Sequence, residues 1–511
     1  MESLTEGVWD AVISGTSLPQ SLLALALSRT DLKVIHVDRN SYYGGVDAGL
    51  SLKEAEAWVE ARKGTGKVFP ALTWLTVTAS SSESVEYGIF KAEQSGLGLA
   101  RAYTISLKPQ IIYAKSRFLP SLVSSQIHTQ LEFQAVGAFW VFSDGELKKI
   151  PSNREDVFAD DSLSVRDKRR LMGLLRHVLE NNDDETAGTR QESLKIKLQG
   201  QLRIPENLEA AIQALTLTTD TTVNVDSGVA MARLKRHLLS TGYFGPGLAA
   251  VIAKYGGTSE IAQVACRAGA VGGFVYLLGH GIESIRAESA EENLVQVKLS
   301  DGTQISTRRI VGMEDDLPSD SLASLNTSQD TAPPHPVSHS ISIISSRLGS
   351  FFTSASDTGP VPAVSIVLVD RGQGQAPVYL QIHSEDTGEC PTGQCIIYAS
   401  TVQSNPSAQH TLKSSVDHIL TAASENEDNP VVLWSIHYQS NEPLTAPQSS
   451  ALLFHDDYKR IFQLPKRPHD VALDDSVLDS VKAMWQEILG ERSAEYDFLR
   501  FEERPDPNEE E

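Results

Sequence analysis

A tight glycine turn, followed about 20 residues later by an acid at the end of a strand, is chemistry for a dinucleotide. Gly15-Thr16-Ser17-Leu18-Pro19-Gln20 stands in the place of that turn, and Asp38 closes the next apolar run. Glycine at the second motif position lets the backbone approach a pyrophosphate, and glycine at the third lets helix and sheet touch. Here Ser17 and Gln20 occupy those positions, and Pro19 removes an N–H that an anion would use. The fold signal survives and the cofactor signal does not, so no cofactor is expected. A second constellation is Glu260, Gln263 and Arg267, whose spacings of three and four share one helix face. That face is either a solvated polar surface or a binding platform on which Arg267 makes bidentate contacts. Tyr43, beside Gly44-Gly45, is either an amphipathic interface residue or ordinary packing over a turn.

Other reactive residues point to no catalytic or metal centre. Cys390 and Cys395 flank a loop-like Pro-Thr-Gly-Gln and supply only half of a zinc ligand set. Three cysteines in so long a chain fit structural thiols in a reducing compartment. His335 and His339 fall in a Pro-bearing stretch read as a solvated linker. Gly66-Lys67 is followed by Val68, so it is no phosphate loop, and neither G-x-S-x-G nor H-E-x-x-H occurs.

The elements that must position these residues follow from periodicity. Ala11–Ile13, the turn, Leu22–Leu27 and Val34–Val37 read as strand, turn, helix and buried strand. Tyr103–Leu107 reads as a candidate strand, and Ile105, Leu107, Ile111 and Ile112 lie on it or just beyond. Asp144-Gly145 and Asp301-Gly302 mark hairpin turns. Ser164 with Asp167 resembles a weak capping box, and Leu171, Leu174, Leu175 and Val178 make one helix face. Further helical runs reach residue 239, which suggests a helical subdomain. Thereafter the pattern returns to mixed strands and helices. The expected division is 1–160 as the first part of a dinucleotide-fold-like domain and 161–245 as the helical domain. Residues 246–490 complete the first domain with a strand-rich insert at about 340–437, and 491–511 form an acidic tail.

The chain has 511 residues, with 44 Lys and Arg against 66 Asp and Glu, a formal charge of −22. Such a balance argues against nucleic acid as a partner and against tight adhesion to anionic membranes. No run approaches 18 apolar residues, and Met1–Asp10 has no basic residue, so neither a transmembrane helix nor a signal peptide is expected.

Asp38-Arg39-Asn40-Ser41-Tyr42-Tyr43-Gly44-Gly45 after the damaged turn resembles the Rab escort protein and Rab GDP-dissociation inhibitor family. Lys149-Ile150-Pro151 with Arg154-Glu155-Asp156-Val157-Phe158, Lys168-Arg169-Arg170-Leu171-Met172, Tyr255-Gly256, Glu260-Ile261-Ala262-Gln263, Arg267 and Gly272-Gly273 extend the resemblance. It covers about residues 8 to 500, and the run from Arg154 leans toward the escort branch. The resemblance implies an α/β, FAD/NAD(P)-binding-like fold without flavin, with an inserted helical subdomain. It implies an accessory, non-catalytic component of Rab geranylgeranyltransferase, located in the cytoplasm and cycling peripherally to membranes. Its expected partners are Rab GTPases in the GDP form, the alpha and beta subunits of the transferase, geranylgeranyl groups and, transiently, membranes. By the same resemblance Tyr43, Glu260, Gln263 and Arg267 form the Rab-binding platform. Ile105, Leu107, Ile111 and Ile112 match the surface that coordinates the Rab C-terminus, or else are simply buried. Leu171, Leu174, Leu175 and Val178 are plain core, or line a prenyl groove. Alternatives are a Rab dissociation inhibitor and, from another class, a flavin-dependent amine-oxidase-like enzyme. Two departures stand out: Ala262 replaces the family's proline, and the stretch around Leu208–Ile212 offers no aromatic anchor for the transferase.

Overall fold

A computed structural model describes residues 4–5, 7–62, 89–91, 96–151, 154–159, 163–180, 192–289, 294–318, 334–355, 359–372, 374–403, 407–424, 429–445, 453–454 and 460–501. The Gly66-Lys67-Val68 stretch and the acidic tail beyond residue 501 lie outside them.

The expected strand–helix–strand unit is the centre of a six-stranded sheet. Its order is Val275–Leu278, Val34–Asp38, Ala11–Ser14, Ile310–Met313, Ile461–Leu464 and Leu453–Phe454. The first five run parallel and the last antiparallel. Parallel strands need both faces covered. One face carries the helices Leu18–Leu27, Thr258–Val271 and Ser476–Leu489, whose apolar residues share a core with Ile13 and Val311. On the other face Val12, Ile35 and Val37 meet Val295, Val297 and Leu299. Those last three come from a four-stranded sheet built on the Asp301-Gly302 hairpin.

The first helix begins at Leu18, earlier than the apolar run suggested. Ser17 is its N-cap, and Pro19 fits because the first turn has no i−4 carbonyl to lose. All ten of its residues are buried.

A second, ten-stranded sheet joins distant parts of the chain. Its order is Ile89–Lys91, Val432–Glu442, His335–Ile344, Cys395–Thr401, Val378–Ser384, Val364–Val369, Phe133–Ser143, Ala250–Ala253 and Ile112–Tyr113, with Glu146–Lys149 hairpinned onto Phe133–Ser143. The Asp144-Gly145 turn has φ of 53° and 81°, the left-handed pair a two-residue hairpin needs. The strands between His335 and Glu442 therefore pair directly with those of the first 250 residues, through Val364–Val369 on Phe133–Ser143.

Between residues 163 and 240 the described elements are helices joined by short loops. Ser164 Oγ accepts from the Asp167 N–H at 3.2 Å and opens Val165–Glu180. Leu194–Ile196 runs on into a π-helical turn, and Glu209–Thr216 and Ser227–Ser240 follow. Among the described residues no helix is long and apolar enough to cross a membrane.

Candidate functional site

The helix Thr258–Val271 has two unlike faces. Ile261, Ala262, Val264, Ala265, Cys266 and Ala268 are buried against the first helix. Glu260 and Gln263 are half-buried and Arg267 is exposed on the other side, so the three residues do share an outward polar face. Burial raises the Glu260 carboxyl above its usual range, and the Arg267 charge opposes that shift. Gln263 Nε2 donates to Ser259 Oγ at 3.2 Å. With Ala262 in place of proline the helix keeps its backbone N–H at that position.

Tyr43 is half-buried on the loop after Val34–Asp38, its ring edge-on to Tyr276 with centroids 6.4 Å apart. Tyr276 lies under the helix: a Cβ on Gly269 would meet its hydroxyl at 2.4 Å. Burial, and then the Cys266 thiol, push the Tyr43 hydroxyl pKa up.

One neighbour entered the sequence reading only through its motif and not as a site residue. Tyr255 is 46% exposed, holds φ of +63°, and donates its N–H to Thr387 O at 2.9 Å. Its ring covers Gly388, where a Cβ would sit 2.5 Å from ring carbon. A bulky residue in left-handed backbone is strained, and such strain gathers at functional positions. Only the Tyr255-Gly256 motif could have signalled it.

The other candidates lie elsewhere. Ile105 and Leu107 are buried with Trp58 and Tyr438, Ile111 with Tyr113 and Val136, and Ile112 with the first-helix core. All four are at most 5% exposed, so none presents a surface to a partner here. Leu174 and Val178 are buried and Leu171 half-buried in a cluster with Leu194, Leu198, Ile212 and Leu234, and Leu175 is half-buried beside them.

The nucleotide turn does not fit a pyrophosphate. Gln20 is fully buried, and its Nε2 donates to Ser14 O at 3.2 Å and Asp316 Oδ2 at 2.8 Å. Ser17 Oγ donates to Gln20 Oε1. A Cβ on Gly15, at φ +88°, would collide with Asp316 Oδ2 at 2.2 Å. Arg39 pairs with Asp316 at 3.1 Å. Burial pushes the Asp316 carboxyl up to about 7, with Arg39 opposing and Asp38 and Asp315 reinforcing. The turn is thus filled by the chain's own side chains.

His339 departs from the sequence reading. It lies in the strand His335–Ile344 rather than in a solvated linker, stacked on Tyr438 with centroids 4.7 Å apart. Ligand atoms of His339, Glu442 and His469 lie within 4.8 Å of one another. However, Lys108 Nζ donates to Glu442 Oε2 at 2.6 Å and supplies the positive charge a cation would bring. Burial would raise the Glu442 carboxyl, yet the Lys108 ammonium and the imidazoles around it hold it well below the usual range. The arrangement is a neutralised structural cluster. Cys266, Cys390 and Cys395 are buried thiols, none in a disulfide, and burial pushes Cys266 and Cys390 up to about 12.

Comparison with known proteins bears on the family and the fold. A sequence profile for the family described as GDI, GDP dissociation inhibitor, matches residues 5–66 and 77–422. A Saccharomyces cerevisiae protein named Rab proteins geranylgeranyltransferase component A is 31% identical over 281 residues, 54% of this chain and 44% of that protein. A Candida albicans protein of the same name is 26% identical over 430 residues, 83% of this chain and 64% of its own. This chain therefore spans less than two thirds of either relative. A Drosophila melanogaster protein, again of that name, is 25% identical across 98% of this chain and 91% of its own. Among solved structures, Rab GDI from Plasmodium falciparum superposes with a TM-score of 0.65 at 16% identity, covering 94% of this chain and 98% of that one. An oxidoreductase from Methanosarcina mazei reaches 0.57 at 12% identity, covering 93% and 100%. At these identities the structural likeness shows the fold, an α/β architecture shared with Rab GDI and oxidoreductases.

Proposed function

Since the chain belongs to the GDP dissociation inhibitor family, we propose that it is an escort protein for Rab GTPases. In this reading it binds the GDP-bound Rab and presents its C-terminus to Rab geranylgeranyltransferase. It then shields the geranylgeranyl groups and delivers the Rab to membranes, working from the cytoplasm. The observation that carries the reading is the outward polar face of Thr258–Val271 beside the Tyr43 loop. Arg267 and Glu260 serve there as the charged contacts, and Tyr43 and Gln263 frame them.

The filled nucleotide turn supports a non-catalytic role, with the chemistry left to the alpha and beta subunits of the transferase. Residues 161–245 are read as the lipid-receiving subdomain, set into the domain formed by 1–160 and 246–490. Leu171, Leu174 and Val178, with Leu175 on the same helix, belong to or adjoin a closed cluster that helix separation would have to open for a prenyl chain, which gains about 0.8 kcal/mol per buried CH₂. Names support the escort branch over simple dissociation inhibition: relatives named component A align over as much as 98% of the chain, whereas two named guanosine nucleotide diphosphate dissociation inhibitors align over 59% and 35%.

Reconstituted prenylation tests the function. Unprenylated Rab-GDP, the transferase subunits and labelled geranylgeranyl diphosphate should yield labelled Rab only when this chain is added. Extraction of prenylated Rab from membranes without such stimulation would assign a dissociation inhibitor. A flavin absorbance band in the purified protein would overturn both. Within the platform, Arg267→Ala should weaken Rab-GDP binding by about 1–3 kcal/mol, the cost of losing a charged hydrogen-bonded contact. Titration by calorimetry gives the value, and an unchanged Kd would remove Arg267 from the interface.

A further inference from the structure

The residues that would hold a dinucleotide are busy with something else. In a nucleotide-binding fold the acid at the second strand end binds a ribose, and the first helix N-terminus receives a phosphate. Here Asp38 is fully buried and holds backbone instead. Its Oδ2 accepts from Thr16 N at 2.8 Å and Thr16 Oγ1 at 2.6 Å. Its Oδ1 accepts from Asn40 N at 2.7 Å and Asn40 Nδ2 at 2.8 Å. Thr16 Oγ1 in turn accepts from the Gly44 N–H at 2.9 Å.

The helix end is occupied in the same manner. Leu18 N, in the first turn, donates to Asp47 Oδ2 at 2.9 Å, so a carboxylate of the chain takes the anion's place at the positive end of the helix dipole. Asp47 is fully buried and also paired with Arg467. Gly45 lies close over Ser17, since a Cβ added there would stand 3.6 Å from the Ser17 Cβ. The loop from Asn40 to Asp47 is therefore hydrogen-bonded to the former phosphate turn at Gly44 and Asp47, joined to it through Asp38 at Asn40, and packed close to it at Gly45. Tyr43 is the side chain between these fastenings, set against Tyr276 beneath the platform helix.

We infer that Thr16, with Asp38, is a positioning residue for partner binding: the vestigial nucleotide turn now clamps the loop that presents Tyr43. This rests on the proposed Rab-binding reading. Its logic is preorganisation, because a loop already held in its binding geometry does not spend affinity on being ordered. The hydroxyl is the essential part. It receives one hydrogen bond from the loop and gives one to Asp38, and valine has the same shape without either.

Two substitutions separate the hydroxyl from the packing. Thr16→Val should weaken Rab-GDP binding roughly 3- to 10-fold, the effect of one or two net hydrogen bonds. Thr16→Ser should bind like the unaltered chain. In the protein alone, amide hydrogen exchange over residues 40–47 should quicken in Thr16→Val and not in Thr16→Ser. A thermodynamic cycle should show Thr16→Val adding little to Tyr43→Ala, because both act through the same ring. Asn40→Ala, on a partly exposed loop position, is the second variant should Thr16→Val fail to fold, with the same direction expected in both readouts.

Binding and loop exchange unchanged in Thr16→Val, or in Asn40→Ala as its substitute, would overturn the inference while leaving the Rab reading intact. Full additivity with Tyr43→Ala would also overturn it. An unaltered chain that binds no Rab-GDP would instead overturn the partner reading, and the positioning role with it.

Discussion

Acidification from pH 6.5 toward 5 should destabilise this protein, with a net uptake of up to about three protons per molecule as it unfolds. Burial lowers His36, His237 and His437 to about 4 and His469 to about 3. Asp38 is the charge near His36, Arg236 that near His237, and Lys413 that near His437. His469 faces Glu442, His339, Lys108 and Arg233. The unfolded chain protonates these four imidazoles near pH 6.5 while the folded one leaves them neutral. The unfolded state thus binds more protons, and stability falls as pH falls. Asp316 works the other way: its folded value of about 7 exceeds the unfolded one, so between pH 4 and 7 it holds a proton that the unfolded chain has lost. Four against one leaves at most a net three, a slope of up to about 4 kcal/mol per pH unit, from which the Glu260, Asp315 and Asp470 carboxyls, also raised by burial, subtract as the pH falls. A total stability of roughly 5–15 kcal/mol would be exhausted within a few units. Circular dichroism against pH, with the midpoint in urea followed at each pH, measures the slope. A flat profile between pH 6.5 and 5 would mean that these imidazoles titrate freely.

The second large effect lies where the helical segment meets the body. Arg233 on Ser227–Ser240 reaches Asp470 at 2.5 Å, with side chains 15% and 0% exposed. Arg233 also donates to Leu217 O at 3.2 Å, and the Arg236 guanidinium lies over the Tyr113 ring, 4.8 Å from its centroid. Tyr113 OH meets His237 Nδ1 at 3.1 Å. Removing one member of a buried pair strands the other charge, at a cost of about 3–5 kcal/mol. Asp470→Ala should therefore lower stability by that much and expose Ser227–Ser240 to hydrogen exchange ahead of the parallel sheet. The double variant Arg233→Met/Asp470→Leu should recover most of the loss, because no charge is left uncompensated. Equal stability of Asp470→Ala and the unaltered chain in urea would mean that water reaches this contact.

These contacts mark how far the sequence could be read. The strand–turn–helix–strand unit was legible because its apolar runs and its glycine are local signals. The failed cofactor motif was legible for the same reason: Ser17 and Gln20 are wrong whatever surrounds them. That Asp38 holds Thr16 and Asn40, and that Asp316 arrives from 300 residues away to fill the turn, was not legible, because tertiary packing brings those partners together. The outward face of Glu260, Gln263 and Arg267 followed from helical period alone. The burial of Ile105, Leu107, Ile111 and Ile112 did not, since short apolar runs look alike whether they face a core or a groove. The stretch at His335 misled through Pro336. Proline is confined to strand positions whose N–H is not needed. Pro336 qualifies because His335–Val337 pairs only with Val432–Glu442, while pairing with Cys395–Thr401 starts at Ser338.

The ten-stranded sheet ends on Ile89–Lys91 at one rim and Ile112–Tyr113 at the other. A rim strand exposes unpaired N–H and C=O groups, and a long one templates the strand of a neighbouring molecule. Among the described residues these two rims offer an incoming strand ladders of only three and two residues, while Ile89–Lys91 covers only Trp434–Ile436 of Val432–Glu442 and Glu146–Lys149 adds a four-residue edge on Phe133–Ser143. A limit on edge-to-edge pairing at those two rims is thus set by the strand lengths themselves. It should persist at high salt, where mutual repulsion from the net charge of −22 is screened.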